Sequence, residues 1–200
     1  EIFPQGSFRL GTAVRPCNDS GEYDIDLVCH LTISKENTTQ AELKDRAGNR
    51  LKASEKFKKL LQQSRRCWRL NFSGQFHMDV LPAIPNTEQP PTGILLTDTE
   101  LRFWQMSNPK AYADWFYSRM QVLFFSERER ILKAEAATYK SIEEVPEWKV
   151  RTPLQRAVQL LKRHRDIYFA DDHENCPVSI ILTTLAAKAY DNQDNIIDAI

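Results

Sequence analysis

The chain has 200 residues, of which 27% are charged and 42% are hydrophobic, and its formal net charge is +0. This composition excludes a mainly disordered chain, and the balanced charge provides no overall attraction to nucleic acid or anionic lipid. The four cysteines are widely spaced without a Cys-x-x-Cys pair, which argues against a zinc ribbon and a dense disulfide framework. No signal-like segment opens the chain, and no apolar run reaches the roughly 20 residues that span a bilayer.

These features predict a cytoplasmic protein. The chain begins at Glu1 rather than at a methionine, and the residues before Ile200 are predicted to lie within a helix. We therefore expect an excerpt of a longer protein.

A glycine-rich turn is predicted near the N-terminus, where Gly6 and Gly11 lie close to Ser7 and Thr12. Glycine allows the backbone to approach a ligand closely, and exposed amides beside a hydroxyl suit phosphate oxygens. A tight turn is the commoner explanation of an isolated Gly-Ser pair. The motif therefore does not define a phosphate site by itself.

A strand is predicted at 22–31, after a cluster of turn residues at 17–21. Residues two apart on a strand point to the same side, so Asp24 and Asp26 share a face. Two adjacent carboxylates repel each other unless they share a proton, a basic partner or a cation. Our hypothesis is that a divalent cation binds between them, although an isolated pair of this kind more often lies solvated at a strand edge.

A basic helix is predicted from about Thr39 to Ser64, because apolar residues recur there near a 3.6-residue period. Basic residues outnumber acidic ones along this helix and its exit; they are Lys44, Arg46, Arg50, Lys52, Lys56, Lys58, Lys59, Arg65 and Arg66. A solvated helix face is the commoner explanation of this pattern. A polyanion-binding surface is the alternative hypothesis.

Two further strands are predicted at 67–72 and 75–84, separated by a Ser-Gly turn. Asp79 points away from the apolar face of the second of these strands. If that strand lies beside Asp24 to Leu27, a third carboxylate joins the pair. His77 shares the face of Asp79. We expect it to be half-buried and bonded to a neighbour rather than to be a metal ligand, because hard cations prefer oxygen ligands.

Helices dominate the prediction after an extended segment at 93–106. Asn108 is a good N-cap and Pro109 suits the first position of a helix. This helix is predicted from Lys110 to about Lys140, with a break near Ser126.

A second C-terminal helix is predicted from Leu154 to Tyr168, with Lys162 at the border of its apolar stripe. Cys176-Pro177 opens another helix and places Ser179 in its first turn. Free backbone amides and the positive end of the helix dipole favour an anion there.

Taken together, Gln5-Gly6-Ser7, Asp24-Ile25-Asp26 and Asp79 resemble the motifs of the DNA polymerase beta superfamily of nucleotidyltransferases. From about residue 3 to residue 190 the chain resembles the bacterial cGAS/DncV-like nucleotidyltransferases, known as CD-NTases. The matching segments are PQGSFRLGTAVRP, EYDIDLVC, HMDVLPAIP, SNPKAYADWF, LLKRHRD and PVSIILTTLAAKAY.

This resemblance implies an α+β fold, with a mixed-sheet catalytic lobe at 1–108 packed against a C-terminal helical lobe at 109–200. It implies an enzyme that joins NTPs into a cyclic oligonucleotide second messenger in bacterial anti-phage signalling. NTPs would be its substrates, ATP among them, and regulatory and effector proteins of an anti-phage operon would be further partners. No membrane association is implied.

The resemblance also assigns roles to residues. Asp24 and Asp26 would bridge two Mg2+ ions, or Mn2+ ions in their place, and Asp79 would bind the ion at the attacking hydroxyl. The residues implied to hold the donor triphosphate are Gln5, Gly6 and Ser7, with Lys162 and Ser179 contacting it from the helical lobe.

Two alternatives stay open. The first is a linear oligonucleotide synthase or a nucleic-acid-end nucleotidyltransferase, which the basic region at 39–66 supports and which alone would bind nucleic acid. The second is a non-catalytic binding scaffold, although such a protein would be expected to lose a carboxylate or the Gly-Ser turn. Base identity, linkage and ring size are not predicted.

Overall fold

The computed structural model describes residues 1–17, 22–72, 74, 76–100, 103–136 and 150–200. They form two compact units. Unit 1 comprises Glu1–Arg9 and Asn18–Ala113, and unit 2 comprises Leu10–Cys17 and Asp114–Ile200. All strands that the structure describes lie in unit 1, whereas the regular elements of unit 2 are helical.

Unit 1 is built on a seven-stranded mixed sheet. Its strands are β1 (Ile2–Pro4), β2 (Tyr23–His30), β3 (Leu61–Gln63), β4 (Trp68–Phe72), β5 (Phe76–Pro85), β6 (Ile94–Leu96) and β7 (Gln105–Ser107). The long central strand β5 pairs in parallel with β2, and antiparallel with β4 and β6 along its two halves. β1, β3 and β7 add antiparallel to β2, β4 and β6. The predicted α+β class is confirmed.

Each face of the sheet contributes to a buried apolar cluster, because successive side chains of a strand point to opposite sides and both sides carry apolar residues. One face contributes to a cluster of Ala47, Trp68, Leu70 and Val80. The opposite face contributes to a second cluster, made of Phe3, Val28, Cys67, Leu81, Ala83, Ile94 and Leu96. Burying each large side chain contributes about 1.5 to 3 kcal/mol. These two clusters hold the strands that carry the predicted aspartates.

The first half of the chain contains three α-helices among its described residues, α1 (Gly6–Leu10), α2 (Gln40–Lys52) and α3 (Glu55–Lys58), and a short 3-10 helix at Lys35–Asn37. The prediction of one helix from Thr39 to Ser64 is wrong in its extent. Thr39 and Glu42 form the capping box of α2, but Ser54 caps a separate helix, α3. The last turn of the predicted helix is instead the edge strand β3, because pairing with β4 outweighs the helical periodicity.

Three basic residues of the predicted basic region are used inside unit 1. The Lys44 side chain is 2% exposed, and its ammonium donates to the carbonyl of Arg65 at 2.7 Å and to that of Ser64. Arg65 and Arg66 both donate to the carboxylate of Asp98, at 2.8 and 2.9 Å. These contacts remove part of the charge that the polyanion-binding hypothesis requires.

The remaining helices are α4 (Pro109–Ser118), α5 (Gln121–Ala136), α6 (Pro153–Tyr168) and α7 (Ser179–Ala189). Asn108 caps α4, since its side-chain oxygen accepts from the Ala111 amide at 3.1 Å. The predicted break near Ser126 is wrong: the interruption lies at residues 119–120. There the Arg119 guanidinium donates to the carbonyls of Ala187 and Tyr190, both at 2.9 Å. Residues 137–140 of the predicted helix lie outside the described residues.

The predictions for α6 and α7 are confirmed within two or three residues. α6 opens with a capping box between Thr152 and Gln155, and Ser179 is the first residue of α7. The helix predicted at the end of the chain is wrong, because residues 196–199 form a turn. None of the described helices is long and apolar enough to cross a membrane.

Gly48 provides a test of the packing between α2 and the sheet. A Cβ at this position would lie 2.3 Å from Trp68 Cζ2. A Gly→Ala change inside a helix normally stabilises by about 0.5 to 1 kcal/mol. We expect Gly48→Ala instead to lower the free energy of unfolding by about 1 to 3 kcal/mol because of overpacking. Urea denaturation measures the change, and the exposed Asn49→Ala is the matched control, expected to be neutral or slightly stabilising.

Candidate active site

Four polar side chains share one face of the sheet because β2 and β5 pair in parallel register. Asp26 lies directly opposite Asp79, and Asp24 lies directly opposite His77. Partners in register on neighbouring strands point to the same face. The Asp24 side chain is 53% exposed, whereas that of Asp79 is 12% exposed. The three carboxylates that the sequence singles out therefore lie in adjacent positions near the start of both strands.

His77 connects Asp24 to a fourth acidic residue, Glu22. Its Nε2 lies 3.0 Å from Asp24 Oδ1 and its Nδ1 lies 3.6 Å from Glu22 Oε2. The expectation of a half-buried histidine bonded to neighbours is thus confirmed. Ligand atoms of Asp24, His77 and Asp79 also lie within 4.8 Å of one another, so these three of the described residues could hold a metal ion.

Asp26 is the most strongly perturbed carboxyl of this face. Burial, followed by the charges of Asp24 and Asp79, raises its pKa to about 7. Burial is also the main cause that raises the pKa of Asp24, with the charge of His77 acting against it. The part of this face around Asp24 and Asp26 is therefore short of positive charge, which is the condition in which a carboxyl takes up a proton or a cation.

The Gly-Ser pair, predicted to lie in a turn, instead begins helix α1 and lies against Asp26. The Gln5 amide, just after β1, donates to the Asp26 carbonyl at 2.9 Å. Gly6 follows with φ of 61°, a left-handed conformation that favours glycine. A Cβ on Gly6 would lie 2.5 Å from Asp26 Oδ2. The start of α1, which carries Ser7, can approach the carboxylates only because residue 6 has no side chain.

Asp79 is held by Arg69 of β4, a partner that the sequence reasoning missed. Arg69 Nε donates to Asp79 Oδ1 and Nη2 donates to Oδ2, both at 2.7 Å. Burial opposes ionisation of Asp79, but these hydrogen bonds and the guanidinium charge outweigh it and lower the pKa of the carboxyl. The signal was available, because a hairpin centred on Gly74 places residue 69 opposite residue 79.

Lys162 and Ser179 both lie in unit 2 and already have partners there. The Lys162 side chain is 5% exposed and its ammonium donates to the carbonyl and the hydroxyl of Thr12, at 3.1 and 3.2 Å. Burial lowers the pKa of Lys162 to about 8. Ser179 Oγ accepts from Arg165 Nη1 at 2.7 Å. The helix stripe did not reveal the Thr12 contact, since it joins residues 150 positions apart.

The donor set of the carboxylate face fits a divalent cation. Hard cations prefer carboxylate oxygens, and a histidine nitrogen extends the range to transition metals. A parallel strand pair that carries an Asp-x-Asp motif and a third aspartate, next to a Gly-Ser pair, is the arrangement that the resemblance to nucleotidyltransferases implies.

The comparison with known families agrees with this class. The family described as "Cyclic GMP-AMP synthase DncV-like, nucleotidyltransferase domain" matches residues 1–82. This match over residues 1–82 agrees with the resemblance to the DncV-like nucleotidyltransferases that the sequence motifs carry.

Two curated relatives match nearly the whole chain. The c-di-GMP synthase of Roseivirga ehrenbergii is 38% identical over 200 residues, which cover 98% of this chain and 50% of that protein. The cyclic dinucleotide synthase CdnG of Bradyrhizobium diazoefficiens is 25% identical over 203 residues, covering 94% and 47%. The chain thus spans about half the length of the curated relatives it matches.

A solved structure shows the same fold. The Bradyrhizobium diazoefficiens CD-NTase CdnG in complex with GTP matches with a TM-score of 0.71 at 21% identity. The match covers 100% of this chain and 60% of the CdnG chain.

The raised pKa of Asp26 predicts a pH-dependent stability. A carboxyl with a folded pKa of about 7 and an ordinary aspartate pKa of 3.8 in the unfolded chain binds more protons in the folded than in the unfolded state between these pH values. Its contribution to the free energy of unfolding therefore falls as the pH rises through this window. Asp26→Asn cannot ionise, so its stability relative to wild type should rise by about 3 kcal/mol between pH 4.5 and 8.

Urea denaturation in EDTA measures this difference without bound metal. Asp45→Asn, at an exposed position of α2, is the control and should follow the wild-type pH profile. A constant difference between Asp26→Asn and wild type over this pH range would contradict the assigned environment of Asp26.

Proposed function

We propose that this protein joins NTPs into a cyclic oligonucleotide. A ribose hydroxyl attacks the α-phosphate of a second nucleotide, the new phosphodiester bond forms, and pyrophosphate leaves with the electrons of the broken P–O bond. The observation that carries the proposal is the in-register pairing that places Asp26 beside Asp79 and Asp24 beside His77. The DncV-like family match supports the same chemistry.

The carboxylates are assigned complementary roles. Asp24 and Asp26 would hold divalent cations near the α-phosphate, and Asp79 would bind the cation at the attacking hydroxyl and help to accept the proton of this hydroxyl. Two Mg2+ ions, or Mn2+ ions in their place, supply activation of the nucleophile and neutralisation of the leaving charge when they are bound. His77 keeps Asp24 oriented through its 3.0 Å contact.

Gln5, Gly6 and Ser7 are proposed to bind the donor triphosphate. The close approach of Gly6 to the Asp26 carboxylate supports this role, since it brings the start of α1 to the cation-binding face. Lys162 and Ser179 are assigned to the same triphosphate by resemblance. To contact it, Lys162 would have to release or share its hydrogen bonds to Thr12. We assign the chemistry to residues 1–108 and a supporting role to the helices of 109–200.

Guanine and adenine nucleotides are the substrates to test first. GTP is supported by the relative named c-di-GMP synthase, at 38% identity, and by the GTP complex of CdnG. ATP is included from the family resemblance. The same resemblance supports a cytoplasmic role in bacterial anti-phage signalling, together with regulatory and effector proteins of an operon.

The test is incubation of the purified protein with labelled NTPs and Mg2+. Phosphatase-resistant products that form without added polymer, identified by mass spectrometry, are the expected result. Asp24→Asn and Asp79→Asn should each lower incorporation by roughly a thousandfold, because each removes a cation ligand. Asp45→Asn, at an exposed position of α2, should retain wild-type incorporation.

Other outcomes would change the assignment. Label that enters only added RNA or DNA would favour a nucleic-acid-end nucleotidyltransferase, which the surface arginines and lysines of α2 and α3 would serve. Full incorporation by Asp24→Asn would refute the proposed site. Absence of Mg2+-dependent NTP binding in calorimetry would favour a non-catalytic scaffold.

A further inference from the structure

We propose that Arg69 is a built-in counter-ion for Asp79, which holds this carboxylate in place before a cation binds and weakens the affinity of the nucleotide-free protein for divalent cations. The inference rests on the proposed function in one respect, namely that the carboxylate face binds a cation. It concerns a positioning residue, since nothing requires Arg69 to contact the reacting atoms.

The Asp79 carboxylate is already held by hydrogen bonds from Arg69. Both of its oxygens accept from the guanidinium at 2.7 Å, in the parallel two-bond geometry that is the strongest arrangement for these groups. Each oxygen of Asp79 therefore already has one protein donor.

The position of Arg69 in the sheet also favours this role. β4 and β5 pair so that Arg69 lies opposite Asp79, and β2 and β5 pair so that Asp26 lies opposite Asp79. The three residues form one row across three hydrogen-bonded strands. Such a row is held by backbone pairing rather than by a loop, so the backbone of Arg69 cannot move away from the carboxylates. The guanidinium can leave Asp79 only by rotation of the Arg69 side chain, which is 35% exposed.

The positive charge of Arg69 acts against a divalent cation at Asp79. Asp24, Asp26 and Asp79 contribute three carboxyls to this face, and the Arg69 guanidinium binds one of them, Asp79, through two hydrogen bonds. A divalent ion at Asp79 would lie within a few Å of the guanidinium, and like charges at that separation repel. Each carboxylate oxygen can still accept a second ligand, so the ion and Arg69 can share Asp79 at the cost of affinity. A bound triphosphate brings negative charge that offsets this repulsion.

Mn2+ titration of the nucleotide-free protein, followed by the electron paramagnetic resonance signal of free Mn2+, tests this inference. Arg69→Gln removes the charge, and we expect it to bind Mn2+ about tenfold more tightly than wild type. Arg69→Lys keeps the charge without the two-bond geometry, and its affinity should stay within about threefold of wild type. Arg65→Gln is the matched control, because Arg65 pairs with Asp98 instead, and it should bind like wild type.

An unchanged or weaker Mn2+ affinity of Arg69→Gln would overturn the inference. If Arg69→Gln does not fold, Arg69→Lys decides: tenfold tighter binding by this variant would show that charge is not the determinant. The proposed function is judged separately, by loss of Mn2+ binding in Asp26→Asn. That loss together with an unchanged Arg69→Gln refutes only the role of Arg69. Failure of both wild type and Arg69→Gln to bind Mn2+ refutes both proposals.

Discussion

The candidate site depends on the parallel register between β2 and β5. A slip of one residue would turn Asp79 to the opposite face of the sheet and separate it from Asp26, because side chains alternate along a strand. Apolar residues further along the same strands oppose such a slip. Val28 on β2 and Leu81 on β5 belong to one buried cluster on the carboxylate-bearing face. Hydrophobic packing therefore fixes the geometry on which the electrostatics of the site depend.

Placing like charges side by side has a cost that the protein offsets in three ways. Asp79 receives a guanidinium, Asp24 receives an imidazole, and Asp26 has a pKa raised by burial, so that it binds a proton near neutral pH. Each solution leaves a group that responds to an incoming cation. A fully neutralised apolar surface would be more stable but could not bind one, which is the usual compromise between stability and function at such sites.

Alternation along single strands was enough to predict which aspartates share a face, and the Ser-Gly turn predicted the hairpin of β4 and β5. The roles of Arg69 and Glu22 were not predicted, because their contacts arise only when strands pair. Periodicity failed at residues 61–63, where an edge strand replaces the end of a predicted helix. Periodicity also did not reveal that Lys162 is buried against Thr12, because this contact joins distant parts of the chain. Pairwise tertiary contacts, rather than local patterns, account for these differences.

The central claim is that the paired strands hold catalytic divalent cations. Diffraction at the manganese edge, from crystals grown with Mn2+ and a non-hydrolysable GTP analogue, tests it most directly. The account predicts anomalous peaks at coordination distance, about 2.0 to 2.6 Å, from the carboxylates of Asp24, Asp26 and Asp79. Peaks confined to other surface carboxylates, with an ordered nucleotide but no ion at these three residues, would contradict it.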